Sequence, residues 1–393
     1  MIDNSRDSME IQNPISIGII GGGQLGKMIA QDAKRMSFRI TVLDPCYDSP
    51  ASSVSDEYIV GDFKDENAIR TLADKVDVLT YEIELANSEI LKELESKNFI
   101  VHPSPQTLSI IQNKFRQKSF LKDHGIPVAD FDIVKSESQL INLCSKLGYP
   151  SVLKVCESSY DGRGNYIIRS ANNIHEYYEY LSERQCMVEK FIPYEKEISV
   201  MIARNSSGQV SSFPIAENIH RNSILDTTIV PARISHNAIA KAEGLAEKTM
   251  QALKGSGIFG IEMFLTRDEN VLVNEIAPRP HNSGHYSIEA CSISQFEQHI
   301  RAILDLPLPK PELLTPAVMI NILGPDDCNG PYTIKGLKDI LSLAGVKLHI
   351  YGKKISRPRR KLGHITVTAN SVEKAMARAE KIKNVLKIED VKR

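Results

Sequence analysis

A chain of 393 residues exceeds what one hydrophobic core supports, because cores stop growing near roughly 250–300 residues, so two or three domains are expected. Its 42% hydrophobic and 25% charged residues are ordinary for a folded globular protein and exclude general disorder. Lys plus Arg, 48, cancels Asp plus Glu, 49, which leaves no overall field to draw nucleic acid or an anionic membrane, and neither partner is expected.

The first 14 residues, MIDNSRDSMEIQNP, are polar and acidic and read as a disordered leader rather than a targeting signal. The six cysteines, Cys46, Cys144, Cys156, Cys186, Cys291 and Cys328, contain no CxxC pair. Neither a disulfide framework nor a zinc knuckle is suggested, and a reducing cytoplasm fits. No apolar run approaches the roughly 18 residues of a membrane helix.

From residue 15 the run ISIGII predicts a buried strand, followed by a glycine turn and a helix with Leu25, Met28, Ile29, Ala33 and Met36 on one face. The strands RITVLD and VDVLTYE follow with helical spacing between them, which predicts a parallel α/β domain over 15–110. Gly21, Gly23 and Gly26 fit GxGxxG, and Asp44 ends the next strand about 20 residues on, as a dinucleotide fingerprint asks. Glycines at a helix start admit any phosphorylated ligand, however. A nicotinamide cofactor, another phosphorylated substrate and simple packing all remain open at this point.

Over 111–310 the pattern changes to a helix at 113–124 and then strands close in sequence: VADFDIV, SVLKVC, NYIIR, CMVEKFI, EISVMIAR, FGIEMFLT and VLVNEIA. Hairpins dominate, so an α+β domain with antiparallel sheets is expected, with a lid subdomain over about 126–190. Lys154 ends an apolar strand before the small-residue loop SSYDGRGN. A lysine there reaches phosphate oxygens as a point charge while the loop closes over them. CMVEKFI carries a Glu-Lys pair on an extended segment of the kind that meets adenine with its backbone, and Glu197 beyond it suits ribose hydroxyls.

FGIEMFLT and VLVNEIAP are separated by Arg267, Asp268, Glu269 and Asn270, which suits a hairpin. If Thr266 pairs with Val271, Glu262 faces Glu275, and two like charges so placed destabilise a sheet unless a cation lies between them. Hard oxygen ligands select Mg²⁺, with Mn²⁺ the alternative, and Asn274 adds a neutral oxygen. Pro307, Pro309, Pro311 and Pro316 then predict a linker into a smaller β-rich unit over 311–393.

The segments GGGQLGKM, TYEIE, YDGRG, NEIAPRPHNSGH and RKLGH, spread from residue 21 to 364, resemble the N5-carboxyaminoimidazole ribonucleotide synthetases among the ATP-grasp ligases. The resemblance implies an ATP-grasp fold, α/β and α+β, with an N-terminal Rossmann-like domain and a small C-terminal β-rich domain. It implies that Lys114, Lys154, Ser159, Tyr160, Asp161, Gly162, Arg163, Gly164, Asn165, Glu189, Lys190, Phe191, Ile192, Glu197 and His220 contact ATP. Glu262, Asn274 and Glu275 would hold magnesium and the phosphates. Gly23, Gln24, Leu25, Glu82, Asn282, Ser283, Lys354, Arg360 and Lys361 would bind aminoimidazole ribonucleotide. Two departures stand out: Ser158 and Ser159 replace glycines common in the lid, and Arg359 replaces the glycine of a common RPGRK. The second leaves Arg357, Arg359 and Arg360 as rival ligands for the substrate phosphate.

The reaction so implied is ATP-dependent carboxylation of the ribonucleotide by bicarbonate through carboxyphosphate, in purine biosynthesis, by a cytoplasmic homodimer. Tyr160, Asp161, Arg163 and Lys354 are the candidates for placing bicarbonate and handling the proton. Two alternatives are a different ATP-grasp ligase, such as a formate-dependent purine ligase, and a nicotinamide-dependent dehydrogenase.

Overall fold

The computed structural model describes residues 15–157, 164–181 and 183–391, with nothing to say of the side chains of 179–181. The chain forms two compact units that divide between His102 and Pro103.

In the first unit, β1 (Ser16–Ile20) leads through the glycine turn into α1 (Gln24–Arg35). There follow β2 (Arg39–Asp44), β3 (Glu57–Val60), α2 (Glu66–Ala73), β4 (Val78–Tyr81), α3 (Ser88–Ser96) and β5 (Ile100–Val101). The five strands pair in parallel in the order β3-β2-β1-β4-β5. Ile17, Ile19, Ile20, Ile40, Val42 and Leu43 are buried, as expected of strands covered on both faces. Asp65 and Asn87 cap α2 and α3 with their side-chain oxygens, each accepting two backbone N–H bonds.

The second unit opens with α4 (Pro105–Ile111) and α5 (Lys114–Asp123). A small subdomain follows: β6 (Phe131–Val134), α6 (Glu137–Leu147), β7 (Ser151–Val155), β8 (Asn165–Ile168), α7 (Ile174–Leu181) and β9 (Cys186–Lys190). Its four strands run antiparallel in the order β6-β9-β7-β8 over a core that includes Leu140, Leu153, Ile168, Ile174 and Val188. The chain continues with β10 (Lys196–Arg204), β11 (Val210–Ser212), β12 (Ala216–Arg221), β13 (Ile224–Val230), α8 (His236–Leu253), β14 (Gly257–Leu265), β15 (Val271–Ala277), α9 (Ser287–Ala290) and α10 (Gln295–Ile303).

Past the prolines come β16 (Ala317–Leu323), β17 (Tyr332–Lys335), α11 (Leu337–Leu341), β18 (Val346–Ile350), β19 (Lys361–Thr368), α12 (Val372–Val385) and β20 (Lys387–Asp390). Three of these strands extend the central sheet, whose order is β15-β14-β10-β12-β13-β16-β19-β18, with β11 paired to β10. The sequence suggested a separate unit from 311 onward. Here β16 pairs directly with β13, Thr227 opposite Ile320 and Val230 opposite Ala317, so one antiparallel sheet runs through both regions.

Strand alternation sorts the central sheet into two faces. Ile198, Val200 and Ile202 of β10, with Phe259, Ile261 and Met263 of β14, pack under Ala238, Ala242, Ala246 and Met250 of α8. Small alanines spaced four apart let that helix lie close to the sheet. Glu197 and Ser199 alternate with those core positions of β10, and Glu262 does so on β14. The face away from α8 therefore carries Glu197, Ser199 and Glu262, while Met201, Ala203 and Ile258 farther along the same strands enter a second apolar cluster.

Candidate active site

The hairpin that brings Glu262 to Glu275 has a different register from the one read in the sequence. Leu265, not Thr266, pairs with Val271, and the loop runs through five residues, 266–270. Pairing then slips by one at Asn274: Met263 opposes Val273 while Glu262 opposes Glu275. Asn274 is the extra residue of a β-bulge, and bulges re-aim side chains. Val271, Val273 and Ile276 all enter the core, two then three residues apart. Asn274 and Glu275 are thereby both excluded from it, beside Glu262.

Lys114 begins α5 and is fixed by its own backbone, whose N–H donates to the Cys156 carbonyl at 2.7 Å, while Asn113 bridges Glu157. Its Nζ lies 2.8 Å from Glu275 Oε2. Lys154 on β7 reaches Glu189 Oε2 at 2.5 Å and Asn274 Oδ1 at 3.5 Å. β7 pairs with β9 so that Val152 faces Glu189, which puts Lys154 diagonally beside Glu189 on the same face. Glu197 forms an ion pair with His220 across β10 and β12.

The charges sort the carboxylates. Burial pushes Glu189 up, but Lys118 and Lys154 outweigh it and hold the group at about 2. Burial also raises Glu275, and Lys114 overcomes it, leaving Glu275 below the usual range. Glu262 goes the other way: burial and the facing Glu275 raise it to about 7 although His220 opposes the shift. The nearest imidazole to it, His281 Nε2 at 3.8 Å, is kept neutral by burial and by Arg279 and Lys361. A buried carboxyl so poorly matched by cations is a characteristic of working sites. Burial lowers His220, but the Glu197 contact more than restores it and leaves the imidazole above its ordinary range.

Of the other ATP-site expectations, Gly164 takes φ +79° and Asn165 opens β8 opposite Lys154. Lys190 ends β9, and Phe191 and Ile192 follow half-buried. Ser159, Tyr160, Asp161, Gly162 and Arg163 lie outside the described residues. Among the described residues no three His, Cys, Asp or Glu side chains gather as metal ligands. The expected cation set is two carboxylates and Asn274, which suits Mg²⁺, an ion that takes one or two carboxylates and completes its shell with water and phosphate oxygens.

The residues expected at the ribonucleotide fall in both units. In the second, Asn282 exchanges side-chain hydrogen bonds with Asn321 at 2.7 and 3.0 Å. Ser199 Oγ donates to Ser283 Oγ at 2.8 Å, and Asn218 Nδ2 donates to Ser199. Lys361 starts β19; Lys354 is exposed; Arg360 donates to the Ile355 carbonyl at 2.7 Å. In the first unit Gly23 caps α1, Gln24 is its first residue, and Leu25 is buried. The Glu82 carboxylate accepts from Gly23 N at 2.7 Å and Gly26 N at 3.2 Å, and Asp44 accepts from Gly22 N at 2.8 Å. A Cβ on Gly23 would lie 2.6 Å from Glu82 Oε1, which explains that glycine by close approach. The donors a dinucleotide pyrophosphate would need are thus already bonded to the protein's own carboxylates, and the dehydrogenase reading loses its physical basis.

The sequence reading overlooked Lys118. It follows Lys114 by four residues, a spacing that signals a shared helix face, and its Nζ sits 2.5 Å from Glu189 Oε1. His281 beside Glu262 was likewise visible only as part of the HNSGH segment. A cavity of about 230 Å³ lined by Phe213, Pro214, Ile215, Pro231, Ala232 and Ile239, among others, contains none of these groups.

Comparison with known proteins agrees with the geometry. Residues 15–112 match the ribonucleotide synthetase preATP-grasp domain, 119–296 the ATP-grasp domain, and 317–378 the phosphoribosylaminoimidazole carboxylase C-terminal domain. A Bacillus subtilis (strain 168) protein named N5-carboxyaminoimidazole ribonucleotide synthase is 42% identical over 89% of this chain and 90% of its own. The crystal structure of N5-carboxyaminoimidazole ribonucleotide synthetase from Thermotoga maritima superposes with a TM-score of 0.88 at 46% identity, covering 95% of this chain and 99% of that one. An Aspergillus clavatus N5-carboxyaminoimidazole synthase in complex with ADP and 5-aminoimidazole ribonucleotide gives 0.87 at 36% identity, covering 94% and 98%. Yeast proteins named phosphoribosylaminoimidazole carboxylase, from Ogataea methanolica and Saccharomyces cerevisiae, are 43% identical over 91% of this chain but longer, and it spans 67% and 64% of their lengths. The chain belongs to the N5-carboxyaminoimidazole ribonucleotide synthetase family of ATP-grasp ligases.

Proposed function

We propose that this chain carboxylates 5-aminoimidazole ribonucleotide with bicarbonate at the expense of ATP, giving N5-carboxyaminoimidazole ribonucleotide, ADP and phosphate. The observation that carries the reading is the opposition of Glu262 and Glu275 across β14 and β15 with Lys114 and Lys154 alongside. Such a group of charges suits a polyphosphate and its counter-ion. Glu262, Asn274 and Glu275 would hold Mg²⁺, or Mn²⁺ in its place, which would offset phosphate charge.

In the proposed reaction a bicarbonate oxygen attacks the γ-phosphorus in line and the bond to the β-phosphate oxygen breaks, releasing ADP. The carboxyphosphate formed then cleaves its carbon–oxygen bond to give CO₂ and phosphate. The exocyclic amine attacks CO₂, a nitrogen–carbon bond forms, and phosphate takes the amine proton. Lys114 and Lys154 are placed to bind and orient the phosphates, and His220 holds Glu197 toward the ribose hydroxyls. The extended stretch Glu189, Lys190, Phe191 and Ile192 supplies backbone groups for adenine. Tyr160, Asp161, Arg163 and Lys354 are assigned to bicarbonate and the proton, and Ser159, Gly162, Gly164 and Asn165 to closure over the phosphates. Ribonucleotide binding is assigned to Gly23, Gln24, Leu25, Glu82, Asn282, Ser283, Lys354, Arg360 and Lys361. A cytoplasmic setting suits six free cysteines, and a homodimer completes the reading.

The test is phosphate release from ATP with and without the ribonucleotide plus bicarbonate. Stimulation requiring both is expected. Equal rates in their absence, or stimulation by formate instead of bicarbonate, would overturn the proposal.

A further inference from the structure

Lys118 has no part in the reaction as proposed, yet it is 2% exposed and sits among the groups that do. One turn after Lys114 on α5, it leaves the same helix face, and the two ammonium groups take different acids. Lys114 goes to Glu275, and Lys118 goes to Glu189 Oε1 at 2.5 Å, with a second contact to the Val273 carbonyl at 3.4 Å. Glu189, also 2% exposed, divides its two oxygens between two lysines, since Oε2 takes Lys154 at 2.5 Å.

A carboxylate this enclosed cannot stay ionised without a cation, because an uncompensated buried charge is strongly destabilising. With Lys154 as its only partner, Glu189 would cancel that lysine's charge and hold it back from an incoming anion. With Lys118 in place, Glu189 is neutralised from the interior side. Lys154 is then steered by Oε2 toward Asn274, beside Glu275, and keeps its charge for the ligand. Side by side stand three lysines, 114, 118 and 154, and three glutamates, 189, 262 and 275. Removing Lys118 would leave the group one negative charge in excess where a polyanion must enter.

We propose that Lys118 is a positioning residue for nucleotide: it acts through Glu189 to present Lys154, with its charge uncancelled, to the phosphates of ATP. The inference rests on the ATP site described above and adds to it a residue that touches no substrate.

The test compares the full-length wild-type chain with Lys118→Met and with Lys118→Arg, measuring the Kd for MgATP by calorimetry and kcat in the phosphate-release assay. In Lys118→Met the Kd should rise about tenfold or more, with kcat within about threefold of wild type at saturating ATP. In Lys118→Arg a cation still faces Glu189, and the Kd should stay within about threefold of wild type. A purely structural ion pair would lower the melting temperature of Lys118→Met and leave its Kd unchanged, which overturns the proposal, as does Lys118→Arg binding as weakly as Lys118→Met. If Lys118→Met does not fold, Lys118→Gln takes its place: a tenfold rise in Kd supports the proposal and an unchanged Kd overturns it. A wild-type chain that binds no MgATP would refute the nucleotide site itself, whereas wild-type binding with indifferent variants refutes the role of Lys118 only.

Discussion

Replacing Glu262 with Gln should stabilise the second unit while abolishing turnover. Glu262 is displaced from an ordinary 4.5 to about 7 by burial and by Glu275 opposite it. A carboxyl raised in the folded state costs nothing below its unfolded value, because it is protonated in both states. The cost grows as pH rises from about 4.5 and is complete above about 7, where the folded protein must hold an unwelcome charge. At about 1.4 kcal/mol per tenfold change in proton affinity the ceiling is about 3 kcal/mol, and with the side chain 25% exposed screening reduces the expected gain to about 1–2 kcal/mol. Glutamine removes the charge and nearly keeps the shape. Thermal unfolding with a chelator present should show the variant about 2–6 °C more stable at pH 8 and little changed at pH 5. Equal gains at both pH values, a loss at pH 8, or retained turnover would refute the reasoning.

Arg359 adopts φ +63°, the left-handed region that costs a residue with a Cβ about 1 kcal/mol, and its exposed pairing with Asp326 at 3.5 Å returns little of that. Arg359→Gly should therefore raise stability by up to about 1 kcal/mol in urea unfolding and leave the KM for the ribonucleotide unchanged, while Arg360→Ala raises that KM about tenfold; the reverse ranking would assign the phosphate to Arg359. Thiol titration of the native chain at pH 8 should find one fast group, Cys46, which is exposed, whereas the other five are buried and burial lifts Cys156 and Cys291 to about 12. A second fast thiol would contradict the burial of the other five.

Local chemistry was readable in the sequence where it depended on neighbours along the chain. The parallel first unit followed from apolar runs alternating with helical spacing, and β1, β2 and β4 pair as that pattern implies, whereas the short edge strands β3 and β5 carry no such run. The Glu262–Glu275 opposition was reached through a hairpin register wrong by one residue at the loop, which the bulge at Asn274 offsets. Nothing in a single sequence marks a bulge, because the extra residue is defined only by the partner strand. The continuity of the sheet from β13 to β16 was hidden for a related reason: prolines 307 to 316 announce a linker but do not say what the following strand pairs with. Lys118 was passed over because a lysine on a helix ordinarily faces water, and only the fold shows that α5 turns it inward onto Glu189.

The bonds from Gly23 and Gly26 to Glu82 give the first unit a tenant of its own at the mouth of α1. A dinucleotide pyrophosphate seeking those amides meets a like charge instead, so attraction at that helix end is replaced by repulsion. Anyone wishing to re-engineer this scaffold as a dinucleotide binder would have to evict that carboxylate before changing anything that reads a ribose or a base.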